Sequence, residues 1–316
     1  MNILVTAIGS FSADCVISSL KSLNCKVIGC DIYPAEWHAQ SKACDDFFQA
    51  PFAAKEMEYI DFLLRISRDN DVNLIFPLTD LEIDVLNNNR DSFADAGIIL
   101  CMPSKYTLSI ARDKYELYAT FKNDSLINSI TTHRSKIDLI NNPSYPYIAK
   151  PRNGRSSEGL MRIFDDADLE KIANKENYII QEFIEGPVYT VDYVRNERTG
   201  NHFAVPREEL LRTKNGAGTT VRVLNDEILN KSALYIGEKI KVNGCINMEF
   251  IKNQELYYLI DINPRFSAGV AFTKVAGYNM IESHLNCFNS KDINEPITWG
   301  EQIITKSCRE EVLWKA

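Results

Sequence analysis

The hydrophobic pattern changes character near Tyr145, and that change constrains the fold more than any other feature of the 316 residues. Up to about residue 105, apolar segments of strand length alternate with helical ones. Asn2–Ala7, Lys26–Asp31, Asn73–Pro77 and Gly97–Cys101 read as strands, and Ala13–Leu23 and Lys55–Asp69 as helices. This alternation predicts a parallel sheet covered on both faces, because parallel neighbours must be reached by crossovers. From Tyr145 onward strand follows strand: Tyr147–Lys150, Gly159–Phe164, Tyr178–Phe183, Val188–Arg195 and His202–Leu211. Asn247–Lys252 and Leu256–Ile262 read as a pair around the turn Asn253-Gln254-Glu255, so this part is expected to be mostly antiparallel. Between these parts, Pro103-Ser104 opens a helical stretch to about Lys122, followed by a polar connection through Asn141-Asn142-Pro143. Asp226–Lys241 reads as a helix starting at an Asp cap, Val270–Phe288 as mainly helical, and Glu311–Trp314 as a last strand.

Composition narrows the function classes. The net charge of −8, with no basic stripe against it, argues against nucleic acid as the main partner. No apolar run reaches membrane-spanning length, and the polar start Met1-Asn2-Ile3-Leu4-Val5-Thr6 reads as a first strand rather than a signal peptide. The eight cysteines, at 15, 25, 30, 44, 101, 245, 287 and 308, form no CxxC pair and read as small buried residues of a reducing, cytoplasmic compartment.

Four segments carry candidate chemistry. In Asn247-Met248-Glu249-Phe250 and Asp261-Ile262-Asn263-Pro264-Arg265, strand pairing would let Glu249, Asp261 and Asn263 converge. Three hard oxygen donors, two of them anionic, suit Mg²⁺ carrying nucleotide phosphates. Arg265, two residues on, is placed to stabilise charge on a transferring phosphoryl group. Glu249 alone would read as an outward charge on a solvated hairpin; the joint pattern favours function. Second, Lys150 ends a strand and is followed by Asn153-Gly154-Arg155-Ser156-Ser157, a loop whose N–H groups and hydroxyls could wrap phosphates, or else a plain surface hairpin. Third, Asp113 reads as a helix N-cap, which puts Lys114 in the first turn against the macrodipole; a nearby anion would relieve the conflict, as would water. Fourth, Gln181-Glu182-Phe183-Ile184-Glu185-Gly186 leaves the core at a turn, where freed backbone groups could meet a purine or simply end a strand.

These four pieces, in this order, resemble the ATP-grasp superfamily. The likeness is greatest to the group related to the carbamoyl-phosphate synthase large subunit and the small amino-acid ligases, including pyrrolysine-biosynthesis ligase. It covers nearly the whole chain, including Phe76-Pro77-Leu78-Thr79-Asp80, and is most specific between Glu249 and Arg265. The resemblance implies a Rossmann-like parallel-sheet lobe at 1–105, a small lid lobe with a phosphate loop at 106–180, and a large lobe with adenine hinge and metal site at 181–316. It implies that Lys114 and Lys150 bind the phosphates of ATP and that residues 153 to 158 form the mobile loop. Glu182, Phe183 and Ile184 would form the hinge, Glu249, Asp261 and Asn263 would hold Mg²⁺, and Arg265 would stand beside the transferring phosphate. Two positions depart from the pattern: Val188 stands where many relatives have the ribose-binding Glu, leaving Glu185 as its replacement, and Asp261 stands where Glu is common.

The region Arg207 to Arg222 lies near the acceptor substrates in the family. Arg212 and Lys214 could there bind a substrate carboxylate or the acyl phosphate, or remain solvated loop charges. Gly9 and Asp31 hint at a dinucleotide site, but Ala7-Ile8-Gly9-Ser10-Phe11-Ser12 lacks the three-glycine fingerprint, so no nicotinamide site is expected. The histidines at 38, 133, 202 and 284 suggest no general base. The expected activity is an ADP-forming carboxylate–amine ligase acting on small molecules through an acyl phosphate. The alternatives are carboxyphosphate or carbamoyl-phosphate chemistry and a non-catalytic nucleotide-binding module. The oligomeric state stays open, a homodimer included.

Overall fold

A computed structural model of the chain describes residues 1–134, 144–155, 158–172 and 175–313. The N-terminal segment builds β1 (Asn2–Val5), α1 (Ala13–Ser22), β2 (Lys26–Asp31), β3 (Asp46–Gln49), α2 (Glu56–Asp69), β4 (Leu74–Phe76), α3 (Asp80–Asn88), α4 (Arg90–Asp95) and β5 (Ile99–Leu100). Its sheet has the order β3-β2-β1-β4-β5 and is parallel throughout, as the strand–helix alternation requires. Val27, Ile28, Gly29, Cys30 and Asp31 of β2 are all buried, because helices cover both sides. One face packs on α2, α3 and α4 through Tyr59, Leu63, Ile83 and Phe93.

Two helices follow, α5 (Lys105–Ala111) and α6 (Lys114–Phe121). The helical stretch expected from Pro103 to Lys122 is therefore two helices that meet at Arg112-Asp113, the second starting at the Asp113 cap that the sequence indicates. Ser104 caps the first helix by accepting from the Thr107 N–H, and Asp113 caps the second by accepting from the N–H groups of Tyr115 and Glu116.

Next come β6 (Asn128–Ser129), β7 (Thr132–His133), β8 (Tyr147–Pro151), β9 (Met161–Ile163), α7 (Asp166–Glu170) and β10 (Tyr178–Glu182). Strands β7-β10-β8-β9 make a small antiparallel sheet. The remainder is β11 (Val188–Arg195), β12 (His202–Arg212), β13 (Gly218–Val223), α8 (Glu227–Lys239), β14 (Gly244–Asn253), β15 (Leu256–Asn263), α9 (Val270–Val275), α10 (Met280–Phe288) and β16 (Gln302–Thr305). Its seven-stranded sheet has the order β16-β13-β12-β11-β14-β15-β6, antiparallel except where β6 joins β15. Strand β6 ties the end of α6 to this sheet, and β7, three residues later, ties it to the small one.

The two faces of the large sheet have different work. Tyr189, Val191, Tyr193, Ile246, Met248 and Phe250 turn to one side and pack on α8 and the α5–α6 pair. Val194, Val205, Val221 and Val223 turn to the other side, into a core shared with α1, α9, α10 and the N-terminal sheet. That shared core fixes the N-terminal lobe against the polar end of this face. Three local expectations change. Val270–Phe288 is broken by Gly277, whose φ of 114° ends α9. The segment from Arg207 to Arg222 is mostly sheet, since β12 runs to Arg212 and β13 resumes at Gly218. The last strand is Gln302–Thr305, pairing with β13; residues 311–313 carry no strand, and Trp314 lies outside the described residues.

Candidate active site

The site is built on one face of the large sheet. Glu249 stands opposite Asp261, and Asn247 opposite Asn263, across the β14–β15 pair. On the other side of β14, Glu249 neighbours Thr190 and Asn247 neighbours Asp192. Thr190 in turn neighbours Arg207 of β12. Residues opposite one another in an antiparallel sheet share a face, so this surface is polar over four strands.

Simple alternation along β15 would not produce it. Tyr257 and Leu259 face the core, and continued alternation would bury Asp261. A bulge intervenes: Phe250 pairs with Leu259, but Glu249 pairs with Asp261, leaving Ile260 as the extra residue. After it Ile262 returns to the core at 1% exposure, while Asp261 and Asn263 turn to the cleft.

The two lysines reach the same cleft from the small-sheet side. The Lys114 ammonium lies 3.1 Å from Asp261 Oδ2 and donates to the Gly154 carbonyl at 3.0 Å. Asp261 is thus the anion that settles a cation in the first turn of α6. Arg152 holds Asp113 and so clamps the start of the loop to the cap of α6. Lys150 on β8 is buried, and burial brings its ammonium down to about 8, with Lys114 adding to the effect and Asp261 and Glu249 opposing it.

Arg265 donates to Asp80 from Nε at 3.0 Å and lies within 2.9 Å of it through Nη2. Asp80, at the start of α3, also lies 3.5 Å from Arg112. Burial works to raise its carboxyl, but Arg265 and then Arg112 outweigh burial and hold it below the usual carboxylate range. Arg212 reaches Glu249 Oε2 at 3.3 Å and the Gly216 carbonyl at 2.7 Å. Lys214 is exposed at the β12–β13 turn and does not line the cleft.

Lys114, Lys150, Gly154, Arg155, Arg212, Glu249, Asp261, Asn263 and Arg265 therefore share one cleft of about 280 Å³. Six cationic and four acidic side chains line it, so it is locally positive in a chain of net charge −8. Asn153 stands just outside, donating to the Arg112 carbonyl at 2.9 Å. Ser156 and Ser157 lie outside the described residues. Glu182, Phe183, Ile184 and Glu185 do not line the cleft. They follow β10, where the Phe183 N–H donates to the Pro146 carbonyl at 3.2 Å. The Glu185 carbonyl accepts from Asn253 at 2.9 Å, away from the cleft. A narrow apolar recess walled by Leu117, Tyr118, Ile130, Leu259 and Ile260 runs from Lys114 to Gln181, the residue before Glu182.

Residues 111–269, about half the chain, match the family described as the ATP-grasp domain. The chain belongs to the ATP-grasp family. Residues 3–101 match a second family, described as the PylC-like N-terminal domain. Among characterised relatives, the carbamoyl phosphate synthase large chain of Clostridium acetobutylicum is 20% identical over 66% of this chain and 21% of its own length. The 3-methyl-D-ornithine–L-lysine ligase of Methanosarcina barkeri is 24% identical over 53% of this chain and 49% of its own. The chain thus spans about a fifth of the first relative and about half of the second. A biotin carboxylase from Campylobacter jejuni superposes with a TM-score of 0.77 over 93% of this chain and 72% of its own, at 18% identity, which shows the shared fold.

Several residues of this ATP-grasp cleft gave little signal in the sequence. Asp80 carries no chemical signal of its own, since a lone acidic residue at a helix start reads as a cap. Arg207 sits at 2% side-chain exposure, bonded to Asp192 at 2.7 Å, Glu209 at 3.0 Å and Ser267 at 3.0 Å. Its β-strand spacing to Glu209 was the available signal, because both fall on the polar face. In the N-terminal lobe the Gly9 N–H donates to Asp31 at 2.9 Å, and the His38 ring occupies the space beside Gly9. The two groups that hinted at a dinucleotide site thus bind each other.

Proposed function

We propose that this chain is an ATP-dependent carboxylate–amine ligase. A substrate carboxylate takes the γ-phosphoryl group of ATP to form an acyl phosphate. An amine then displaces phosphate, giving an amide, with ADP and phosphate released. The observation that carries this reading is the meeting of Lys114, Lys150, Glu249, Asp261, Asn263 and Arg265 in one locally cationic cleft. A relative named as a ligase of 3-methyl-D-ornithine and L-lysine supports the reaction class.

The donor set fits a hard dication. Glu249, Asp261 and Asn263 present oxygen donors side by side, and the cations Lys114 and Arg212 now neutralise the two carboxylates. Mg²⁺ held there would neutralise charge on the nucleotide phosphates. Lys114 and Lys150 would grip those phosphates, with Asn153, Gly154, Arg155, Ser156 and Ser157 as the covering loop. Arg265, fixed by Asp80, would stabilise the charge that develops on the transferred group. Glu182, Phe183 and Ile184 would form the adenine hinge and Glu185 a candidate ribose contact. The apolar recess leading from Lys114 to Gln181 has room for little more than a water molecule and would have to widen to take a ring. Arg212 faces the reacting end and is favoured over the exposed Lys214 as a substrate contact. In this reading 1–105 serves as substrate lobe, 106–180 as lid and 181–316 as catalytic lobe.

The test is ADP release from MgATP across mixtures of carboxylates and amines. Release that requires both partners supports the ligase. Nucleotide binding with no turnover in any mixture would replace it with a non-catalytic module, and release driven by bicarbonate would move it to carboxyphosphate chemistry.

A further inference from the structure

A second cavity, of about 610 Å³, opens at the C-terminal ends of β1, β2 and β4 and is continuous with the phosphate cleft. Phe11, Arg155, Arg265 and Ala268 line both spaces, so anything in this cavity meets the reacting centre at two guanidinium groups. The volume is that of a small-molecule site, and its lining is largely apolar, with Phe52, Leu78 and Leu81 among the walls.

The rim is unusual. Among the described residues six aromatic side chains are exposed: Phe11 at 66%, Tyr33 at 47%, Trp37 at 67%, Phe52 at 58%, Tyr106 and Phe164. Phe11, Tyr33 and Phe52 line this one cavity, and Trp37 stacks on Tyr33 at 5.5 Å. Aromatic surface gathered at a concave site and left in water gains free energy when a ring or chain covers it.

The polar groups of the cavity say which end of a ligand goes where. Its three carboxylates are all engaged by the protein's own groups. Asp31 accepts from the N–H groups of Gly9 and Tyr33 and pairs with His38. Glu82 accepts from the Tyr59 hydroxyl and from the hydroxyl and N–H of Thr79. Asp80 holds Arg265 and Arg112. No acid is left over for a ligand ammonium, and the occupied Gly9 N–H disfavours a nucleotide phosphate. What remains for a ligand is an apolar chamber with cations at the exit.

We propose that the carboxylate substrate occupies this cavity and is a monocarboxylic acid with an apolar, ring-sized body. Its carboxylate points past Arg155 and Arg265 into the phosphate cleft, and its body lies against Phe11, Phe52, Leu78 and Leu81. This rests on the ligase reading and adds the class of acid and its direction of entry; the amine must then approach from the β12–β13 side of the cleft.

The experiment has two readouts on the full-length chain. The first is binding of 3-phenylpropionate, acetate and succinate in the presence of MgADP, followed by tryptophan fluorescence with Trp37→Phe as the control for signal origin. 3-Phenylpropionate should bind at least about tenfold tighter than either short acid, a difference of about 1.4 kcal/mol. Phe52→Ala should remove that advantage, Phe52→Leu should keep most of it, and MgADP affinity in both variants checks the fold. Equal binding of all three acids, or no effect of Phe52→Ala, overturns the inference. The second readout is hydroxamate formed from MgATP, each acid and hydroxylamine, which traps an acyl phosphate whatever the natural amine. Hydroxamate from 3-phenylpropionate supports the inference, whereas hydroxamate from the short acids alone overturns it and leaves the ligase reading standing. Tight binding with no hydroxamate from any acid sinks the ligase reading, and with it the assignment of this ligand as a substrate.

Discussion

Acid should loosen the contact between the N-terminal lobe and the large sheet through one side chain, His284 on α10. Its Nδ1 accepts the Cys245 N–H at 2.8 Å, and its Nε2 lies 3.1 Å from the Cys101 carbonyl, to which it donates. The rings of Phe76, Phe266 and Phe288 surround it. These bonds require the neutral ring with its proton on Nε2. Burial pushes the group down to about 4, against a smaller upward pull from the Cys101 carbonyl. The unfolded chain, with an ordinary histidine near 6.5, therefore takes the proton first. Stability is full above about pH 6.5, falls as pH drops below it, and levels off near pH 4. The whole shift corresponds to roughly 3 kcal/mol, of which about 2 should be lost between about pH 7.5 and pH 5. Urea unfolding followed by circular dichroism at those two pH values measures it. Carboxylates also titrate at the acid end, so the comparison is with His284→Gln, which is less stable at both pH values but should lack this part of the slope. Equal pH dependence in the two proteins would refute the reasoning.

Four further outcomes follow from the cleft. Glu249→Gln should cut Mg²⁺-dependent ADP release at least about tenfold with an unchanged melting temperature, since it removes one anionic donor at a half-exposed position. Lys150→Ala should lose at least about tenfold in kcat/KM for MgATP, about 1.4 kcal/mol, and a near-normal value would remove Lys150 from phosphate binding. In the parent chain the same parameter should fall above about pH 8, where free Lys150 gives up its proton, and Lys150→Arg should not show that fall. Asp80→Ala leaves Arg265 without its buried partner, so stability should drop by about 3 kcal/mol and kcat should fall with it, as calorimetry and ADP release would show.

Long periodic segments were legible in the sequence because their signal is local. The alternation that buries both faces of β1, β2 and β4, and the caps at Ser104, Asp113 and Asp226, each depend on neighbours within a few residues. Strands β6 and β7 were not legible: two residues each carry no periodicity, and their pairing comes from partners about 130 and 50 residues away. Strand β13 was hidden because Gly218-Thr219-Thr220 follows a glycine-rich turn and reads as more loop. In the cleft, residue types with one dominant chemistry were found, as with Lys150 and Glu249. Residues whose role comes from a distant partner were not, as with Asp80, which meets Arg265 across 185 positions.

Ile260 is the one surplus residue in the pairing of β14 with the ligand end of β15. Point substitutions in β15 can weaken one ligand at a time, but a pairing that straightens the bulge with Ile260 still in the chain would turn Asp261 and Asn263 together into the hydrocarbon interior and bring Ile262 out in their place. Glu249 would keep its own orientation and lose its companions. Loss of the Ile260 codon would instead leave the ligands on the cleft side, because core-facing Leu259 would then be followed directly by Asp261, with Ile262 and Asn263 continuing the alternation. When genomes are searched for proteins of this kind, the spacing between Leu259 and Asp261 is therefore a weaker criterion than the acidic letters themselves. A homologue with every ligand conserved and one residue fewer between Leu259 and Asp261 should be expected to pair these strands without a bulge and to keep its ligands facing the cleft.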